Sequence, residues 1–306
     1  MDWKSHKIEA LLEQALVEDK AAGDATTNLT IDPDLRASAA IIAREELVVA
    51  GLGAIPRLLE IFARLDLQPQ AHTRFEVVSH PEIFDGVRVH SGQVLAVIRH
   101  NARVLLSSER VILNLLQHLS GIATLTRRYC DTIHGTHARI LDTRKTVPGM
   151  RALEKYAVQC GGGTNHRIDL ASGILIKHNH IALGGGLAKT LARALELRRL
   201  HQRVEVEVHT SAELDEALAA GAEAILLANM TPAQVKQSVE RIHREAPGES
   251  KQDPGARWIP IEASGGILLN NIRAYAETGV DFISVGALTN SAKAADISMT
   301  ISAEPN

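Results

Sequence analysis

Cationic side chains recur where apolar runs give way to polar loops. Arg144 and Lys145 follow the run Arg139–Asp142, Lys177 closes Gly173–Lys177, and His166-Arg167 follows the glycine run Gly161-Gly162-Gly163. Between Asp142 and His180 stand six Lys or Arg against three Asp or Glu, in a chain whose formal net charge is −3. Guanidinium groups grip carboxylates and phosphates with two parallel hydrogen bonds, and ammonium groups add point charge. Cations converging from successive strand ends therefore make a receptor for a small polyanion. One exposed arginine would carry no such weight, because isolated surface ion pairs contribute little.

Two glycine-rich turns could serve the same ligand. Ser264-Gly265-Gly266-Ile267 and Val285-Gly286-Ala287-Leu288-Thr289 each follow an apolar run and precede a helical pattern. Such turns expose backbone N–H groups to phosphate, and α/β barrels often bind phosphate after their last two strands. In Glu205-Val206-Glu207-Val208, strand alternation puts both carboxylates on one face, suited to magnesium or ribose hydroxyls; a solvated edge strand would read the same. On a strand, His178-Asn179-His180 would send both imidazoles to one side, as zinc sites do, but no His or Asp set completes such a site. Cys160 has no basic partner in sequence and reads as a small buried filler.

The scaffold for these groups follows from periodicity. Beyond residue 138, short apolar runs (Arg139–Asp142, Gly173–Lys177, Val204–Val208, Ala222–Leu227, Trp258–Ala263, Phe282–Val285) alternate with amphipathic segments. Thr210 with Glu213 forms a capping-box pair, Thr231 precedes Pro232 at a helix start, and Gly221 and Gly279 stand at helix stops. Repeated strand–helix units predict an α/β fold with a parallel sheet closing toward a barrel. Upstream, helices are expected at Ile8–Ala15 and Gly53–Leu65, short strands from Arg36 to Leu106, and a hairpin over Val87–Ile98 around a Gly turn. A long helix is expected to open at Ser107-Ser108, and Gly248–Gly255 reads as a surface loop.

Composition bounds the rest. The chain has 306 residues, 45% apolar and 23% charged, enough for two domains or one large one. The small negative charge gives no global attraction to nucleic acid or anionic membrane, and 3% aromatic residues make no base-stacking platform. No run is long and apolar enough to span a bilayer, and the polar start Met1-Asp2-Trp3-Lys4 does not read as a signal peptide. Two cysteines exclude a disulfide framework and point to a reducing cytoplasm.

Taken in order, the motifs closely resemble the quinolinate phosphoribosyltransferase (NadC) family, the carboxylating nicotinate-nucleotide pyrophosphorylases. The likeness rests on Glu109-Arg110, Gln117-His118-Leu119-Ser120-Gly121, Asp142-Thr143-Arg144-Lys145-Thr146, Asn165-His166-Arg167, Ile176-Lys177, Glu205-Val206-Glu207-Val208, Asn229-Met230, Glu262-Ala263-Ser264-Gly265-Gly266 and Ser284-Val285-Gly286-Ala287. The resemblance implies an amino-terminal α/β sandwich over residues 1–115, an open, TIM-like α/β barrel over 116–289, and a tail, 290–306, packing back on the first domain. It implies quinolinate and phosphoribosyl pyrophosphate as substrates, magnesium as cofactor, and a homodimer or assembly of dimers with shared active sites. By position, Arg144, Lys145, His166, Arg167 and Lys177 correspond to the quinolinate-binding groups, and Arg110 to an arginine lent by the neighbouring subunit. Glu207 corresponds to the acid on the ribose and magnesium side; Lys145, Lys177 and Glu207 form the implied catalytic set. Ser264, Gly265 and Gly266 with Val285, Gly286 and Ala287 correspond to the 5-phosphate cradle. The sequence departs from the family where His178 and Ala228 replace acids on the ribose side. A diverged transferase for another small acid, or an anion-binding relative without turnover, would share these motifs.

Overall fold

The computed structural model describes residues 1–65, 74–200, 202–245 and 258–304; the expected loop Gly248–Gly255 lies outside them. The described chain forms two compact units. One comprises Met1–Arg127, Pro148–Gly162 and Ala292–Asn306, the other Arg128–Val147 and Gly163–Ser291.

The first unit opens with α1 (His6–Glu18) and the short α2 (Ala25–Thr30), then β1 (Arg36–Ala43), β2 (Leu47–Val48), α3 (Ala54–Leu65), β3 (Glu76–Val78), β4 (Arg88–Val89), β5 (Val94–Asn101) and α4 (Ala102–Thr132). Alternation in β1 buries Ala37, Ala39, Ile41 and Ala43 on one face. Ile8, Leu12 and Leu16 of α1 are buried at helical spacing, as are Ile55, Leu58, Leu59 and Phe62 of α3, and the two helices pack together. Glu9 ties them, meeting Arg57 at 2.8 Å and Arg64 at 2.6 Å. The antiparallel sheet runs Ile297–Ala303, β1, β5, β3, so the last strand of the chain pairs with β1.

Two local expectations are corrected. The Val87–Ile98 segment is no hairpin: β4 pairs with β2, while β5 pairs with β1 and β3. The glycine turn at Gly92 donates its N–H to Ala43 at 2.8 Å, so it carries the chain from one sheet to another. The long helix begins at Ala102, not Ser107. Asn101 Oδ1 accepts from the Arg103 N–H at 2.9 Å and caps it, while Ser108 returns its hydroxyl to Val104 O at 2.6 Å as an interior residue does.

The units divide at Arg127, inside α4, rather than at residues 115–116. Packing explains the position. Gly121 lies against the Lys293 carbonyl, where an added Cβ would come within 2.1 Å, and Thr126 lies against Gly161. Residues 148–162 belong to the same unit through His118 Nε2, 2.9 Å from Glu154, and the Tyr156 hydroxyl, which donates to Asp85 at 2.5 Å.

The second unit repeats strand and helix: β6 (Arg139–Leu141), β7 (Ile174–Ile176), β8 (Val204–Val208), β9 (Ala224–Ala228), β10 (Ile261–Ser264) and β11 (Phe282–Ser284). Helix α5 (Arg151–Cys160), which belongs to the first unit, comes between β6 and β7 in sequence. Helices α6 (His178–Gly184) and α7 (Leu187–Leu197) follow β7, α8 (Ser211–Ala219) follows β8, and α9 (Pro232–Glu245) follows β9. Then α10 (Ile272–Ala276) follows β10, and α11 (Ala287–Asn290) follows β11. The sheet is parallel throughout, in the order β6-β11-β10-β9-β8-β7. That is an open α/β barrel. The capping box holds: the Glu213 N–H meets Thr210 Oγ1 at 3.2 Å and Glu213 Oε2 accepts from the His209 N–H at 2.6 Å.

Candidate active site

Alternation decides what faces the inside of the barrel. On β8 the three valines are buried on one side, and Glu205 and Glu207 project together on the other, each side chain 17% exposed. With β7 and β9 on either side, β8 is an interior strand, so the solvated-edge alternative is excluded. Register puts Glu207 beside Leu226, Leu226 beside Glu262, and Ala228 beside Ser264. These side chains line an open cavity of about 600 Å³ at the carboxyl ends of the strands. Arg144, Lys145, His166, Arg167, Lys177, Ser264, Gly265, Gly266, Gly286 and Ala287 line the same cavity.

The cations are fixed by the backbone around them. Thr289 donates its hydroxyl to Lys145 O at 2.8 Å, and the buried Asp142 accepts from the His166 N–H at 2.8 Å. Arg167 donates to the Gly173 carbonyl at 2.9 Å. Burial, and then the neighbouring Arg144 guanidinium, push the Arg167 pKa below the usual arginine range. Two guanidinium groups held side by side in a half-buried cavity favour an anion between them. Lys177 Nζ stands 3.8 Å from Glu207 Oε2, and His209 Nε2 stands 3.3 Å from Glu207 Oε1.

Beneath this arc lies a cluster that sequence reading missed. His166 Nε2 is 3.4 Å from Glu205 Oε2 and 3.5 Å from Glu262 Oε2. Among the described residues, these three are the one group of metal-ligating side chains within reach of a common ion. The ring's other nitrogen, Nδ1, accepts from the Arg167 N–H at 2.7 Å. That bond places the imidazole proton on Nε2, facing the carboxylates, and leaves no lone pair there for a metal. His166 thus joins the site as a neutral ring, not as a fifth cation. Burial first, then the charge of Glu205, push the Glu262 carboxyl up to about 8.

The phosphate side is built from backbone. Gly265 has φ +99°, and a Cβ there would fall 2.1 Å from Asn229 Oδ1, so only glycine fits. The Asn229 N–H meets Ser264 O at 2.8 Å, and Ser284 donates its hydroxyl to Ser264 Oγ at 2.8 Å, which hold the turn. A Cβ on Gly266 would meet nothing within 4 Å, and one on Gly286 would stand 3.1 Å from the Lys145 chain.

Two expected members fall elsewhere. Val285 is 1% exposed and does not line the cavity; its N–H is spent on Leu141 O at 3.0 Å, so it cannot serve a ligand. Arg110 is exposed on α4 and is not a lining residue. His178 begins helix α6 rather than extending a strand, which removes the paired-imidazole zinc geometry; its ring meets His209 edge-on, 6.3 Å away. Ala228 forms an apolar wall with Leu175 and Leu226. Cys160 is half-buried, and burial pushes its thiol up to about 11, so it is no nucleophile.

The fold and cavity define an α/β-barrel protein whose pocket receives a small polyanion at the carboxyl ends of its strands. Comparison with known proteins sharpens that class. The sequence models of the quinolinate phosphoribosyl transferase N-terminal and C-terminal domains match residues 24–120 and 122–300. The chain is 40% identical over 295 residues to the probable nicotinate-nucleotide pyrophosphorylase [carboxylating] of Bacillus subtilis, covering 96% of this chain and 93% of that one. It is 40% identical over 291 residues to the nicotinate-nucleotide pyrophosphorylase [carboxylating] of Mycobacterium leprae, covering 95% of each. The crystal structure of NadC from Streptococcus pyogenes superposes with a TM-score of 0.87 at 35% identity, over the full length of both chains. The chain belongs to the quinolinate phosphoribosyltransferase family.

Proposed function

We propose that this protein joins quinolinate to 5-phosphoribosyl 1-pyrophosphate, giving nicotinate mononucleotide, carbon dioxide and pyrophosphate in de novo NAD synthesis. The observation that carries the reading is one cavity in which Arg144, Lys145, Arg167 and Lys177 face Glu207 and a glycine cradle, in a chain of this family. The four cations bind the two carboxylates and set the ring nitrogen toward C1 of the ribose. Ser264, Gly265, Gly266, Gly286 and Ala287 receive the 5-phosphate.

As pyrophosphate leaves C1, the ring nitrogen takes the oxocarbenium carbon. Lys145 and Lys177 offset the charge that builds on the leaving group. The nitrogen, now quaternary, draws the C2 electron pair, and the C2 carboxylate departs as carbon dioxide. Positioning supplies most of the rate, and no covalent enzyme intermediate is required. Magnesium would supply charge neutralisation at the pyrophosphate. Glu207 suits it, since this ion keeps its waters and takes one or two carboxylates beside phosphate oxygens.

The working form is a homodimer in which Arg110 reaches the neighbour's cavity; its exposure on α4 supports this. A cytoplasmic setting agrees with the two-cysteine composition, and among the described residues no helix is long and apolar enough to cross a membrane. The test is an assay of purified protein with quinolinate, phosphoribosyl pyrophosphate and magnesium, with nicotinate as the control acid. Nicotinate mononucleotide and carbon dioxide from quinolinate alone are expected. Quinolinate binding without product would favour the anion-binding alternative, which the apolar wall at Ala228 supports; Ala228→Asp would then restore turnover.

A further inference from the structure

The cluster under the cation arc has a proton inventory that its geometry fixes. One imidazole N–H, that of His166, faces two carboxylates at 3.4 and 3.5 Å. The Glu262 side chain is 4% exposed, and its Oε1 has no hydrogen-bond partner among the described residues. One N–H cannot balance two anions in a buried site, and two carboxylates so placed hold a proton between them.

The geometry points to Glu262 as a positioning residue for anion recognition: a carboxylic acid kept protonated in the barrel floor, so that the floor carries one negative charge instead of two beneath the bound dianion. The inference rests on the quinolinate reading of the cavity. The groups around Glu262 are few. Glu205 comes from β8, His166 from the loop before β7, Lys177 from the end of β7 and the Ser284 hydroxyl from β11; β9 offers only Leu226 at this level. Glu205 raises the proton affinity of Glu262, while His166, Ser284 and Lys177 lower it, after burial has raised it most. A dianion in the cavity raises it further. Ionisation of Glu262 therefore opposes quinolinate binding, and binding at alkaline pH takes up one proton.

Calorimetric titration of the full-length protein with quinolinate, from pH 7 to 9.5, tests this. Wild type is expected to lose affinity about tenfold per pH unit above the Glu262 midpoint, as uptake of one proton requires. Glu262→Gln keeps the shape and the neutral charge; it should bind as wild type does at pH 7 and lose that alkaline weakening. An unchanged alkaline weakening in Glu262→Gln, or a flat profile in wild type, overturns the proposal while leaving the quinolinate reading intact. No quinolinate binding at any pH overturns both. Thermal melts give a readout that a merely structural role would not move. The native state holds a proton that the unfolded chain releases, so wild-type stability falls as pH rises toward about 8, and the Glu262→Gln melting temperature should fall less. If Glu262→Gln does not fold, the infrared carbonyl band of wild type decides. A protonated-carboxyl band at pH 7 that titrates away above about 8 supports the proposal, and its absence at pH 7 overturns it.

Discussion

Arg144 and Arg167 stand together without a fixed anion between them, which is a statement about what they bind. Each is expected to hold a substrate carboxylate through charge-assisted hydrogen bonds, about 1.5–3 kcal/mol apiece. Arg144→Ala or Arg167→Ala should therefore raise the Kd for quinolinate about tenfold or more by calorimetry, with the melting temperature near that of wild type. Arg167→Lys should recover only part of the loss, because an ammonium cannot make the paired contact. Unchanged saturation in both alanine variants would remove these residues from the quinolinate site. The cations were legible in sequence because each sits where an apolar run ends. Glu262 was not. It lies within the run Trp258–Ala263, and its partners come from β8 and a loop, so only the strand order brings them together.

Among the elements, the turn after β10 carries the sharpest demand. Gly265→Ala would need both a left-handed backbone and room already taken by Asn229. A cost of about 1–3 kcal/mol is expected, seen as a lower melting temperature and a raised KM for phosphoribosyl pyrophosphate. A second element to probe is α2. Asp24 caps it, accepting from the Thr27 N–H at 3.1 Å and the Thr27 hydroxyl at 2.5 Å, and also accepts from Ser107 at 3.1 Å. The Thr27 hydrogen bonds hold the Asp24 carboxyl below its usual pKa. Its contribution is thus complete above the ordinary aspartate range and is lost as pH falls through the lowered value. Asp24→Ala should destabilise by about 0.5–2 kcal/mol in urea unfolding at pH 7, and by less at pH 3. The element types were readable from period and caps; pairing was not. Val87–Ile98 has hairpin alternation, yet its two halves are satisfied by strands distant in sequence. Likewise, His178-Asn179-His180 alternates like a strand, but the extended Lys177 (φ −118°, ψ 167°) already starts α6.

At the scale of the assembled molecule, the dimer reading makes a complementation prediction. Arg110→Ala and Arg144→Ala should each be nearly inactive, because each spoils every cavity. Co-expressed, they form mixed dimers in which one cavity has both arginines, and activity should return to roughly a quarter of wild type if subunits pair at random. No recovery from verified mixed dimers would place Arg110 outside the neighbour's site. The pairing of β1 with Ile297–Ala303, along the register Ala43↔Ile297 to Ala37↔Ala303, has a further consequence, for synthesis rather than chemistry. Translation delivers β1 early and its sheet partner only after every barrel strand has been made. While the ribosome is still at work, β1 presents an open edge with its alternate residues apolar. The half of the protein that is made first is the last to be finished, and a nascent chain stalled before residue 297 would carry a template for pairing with its neighbours on the same message.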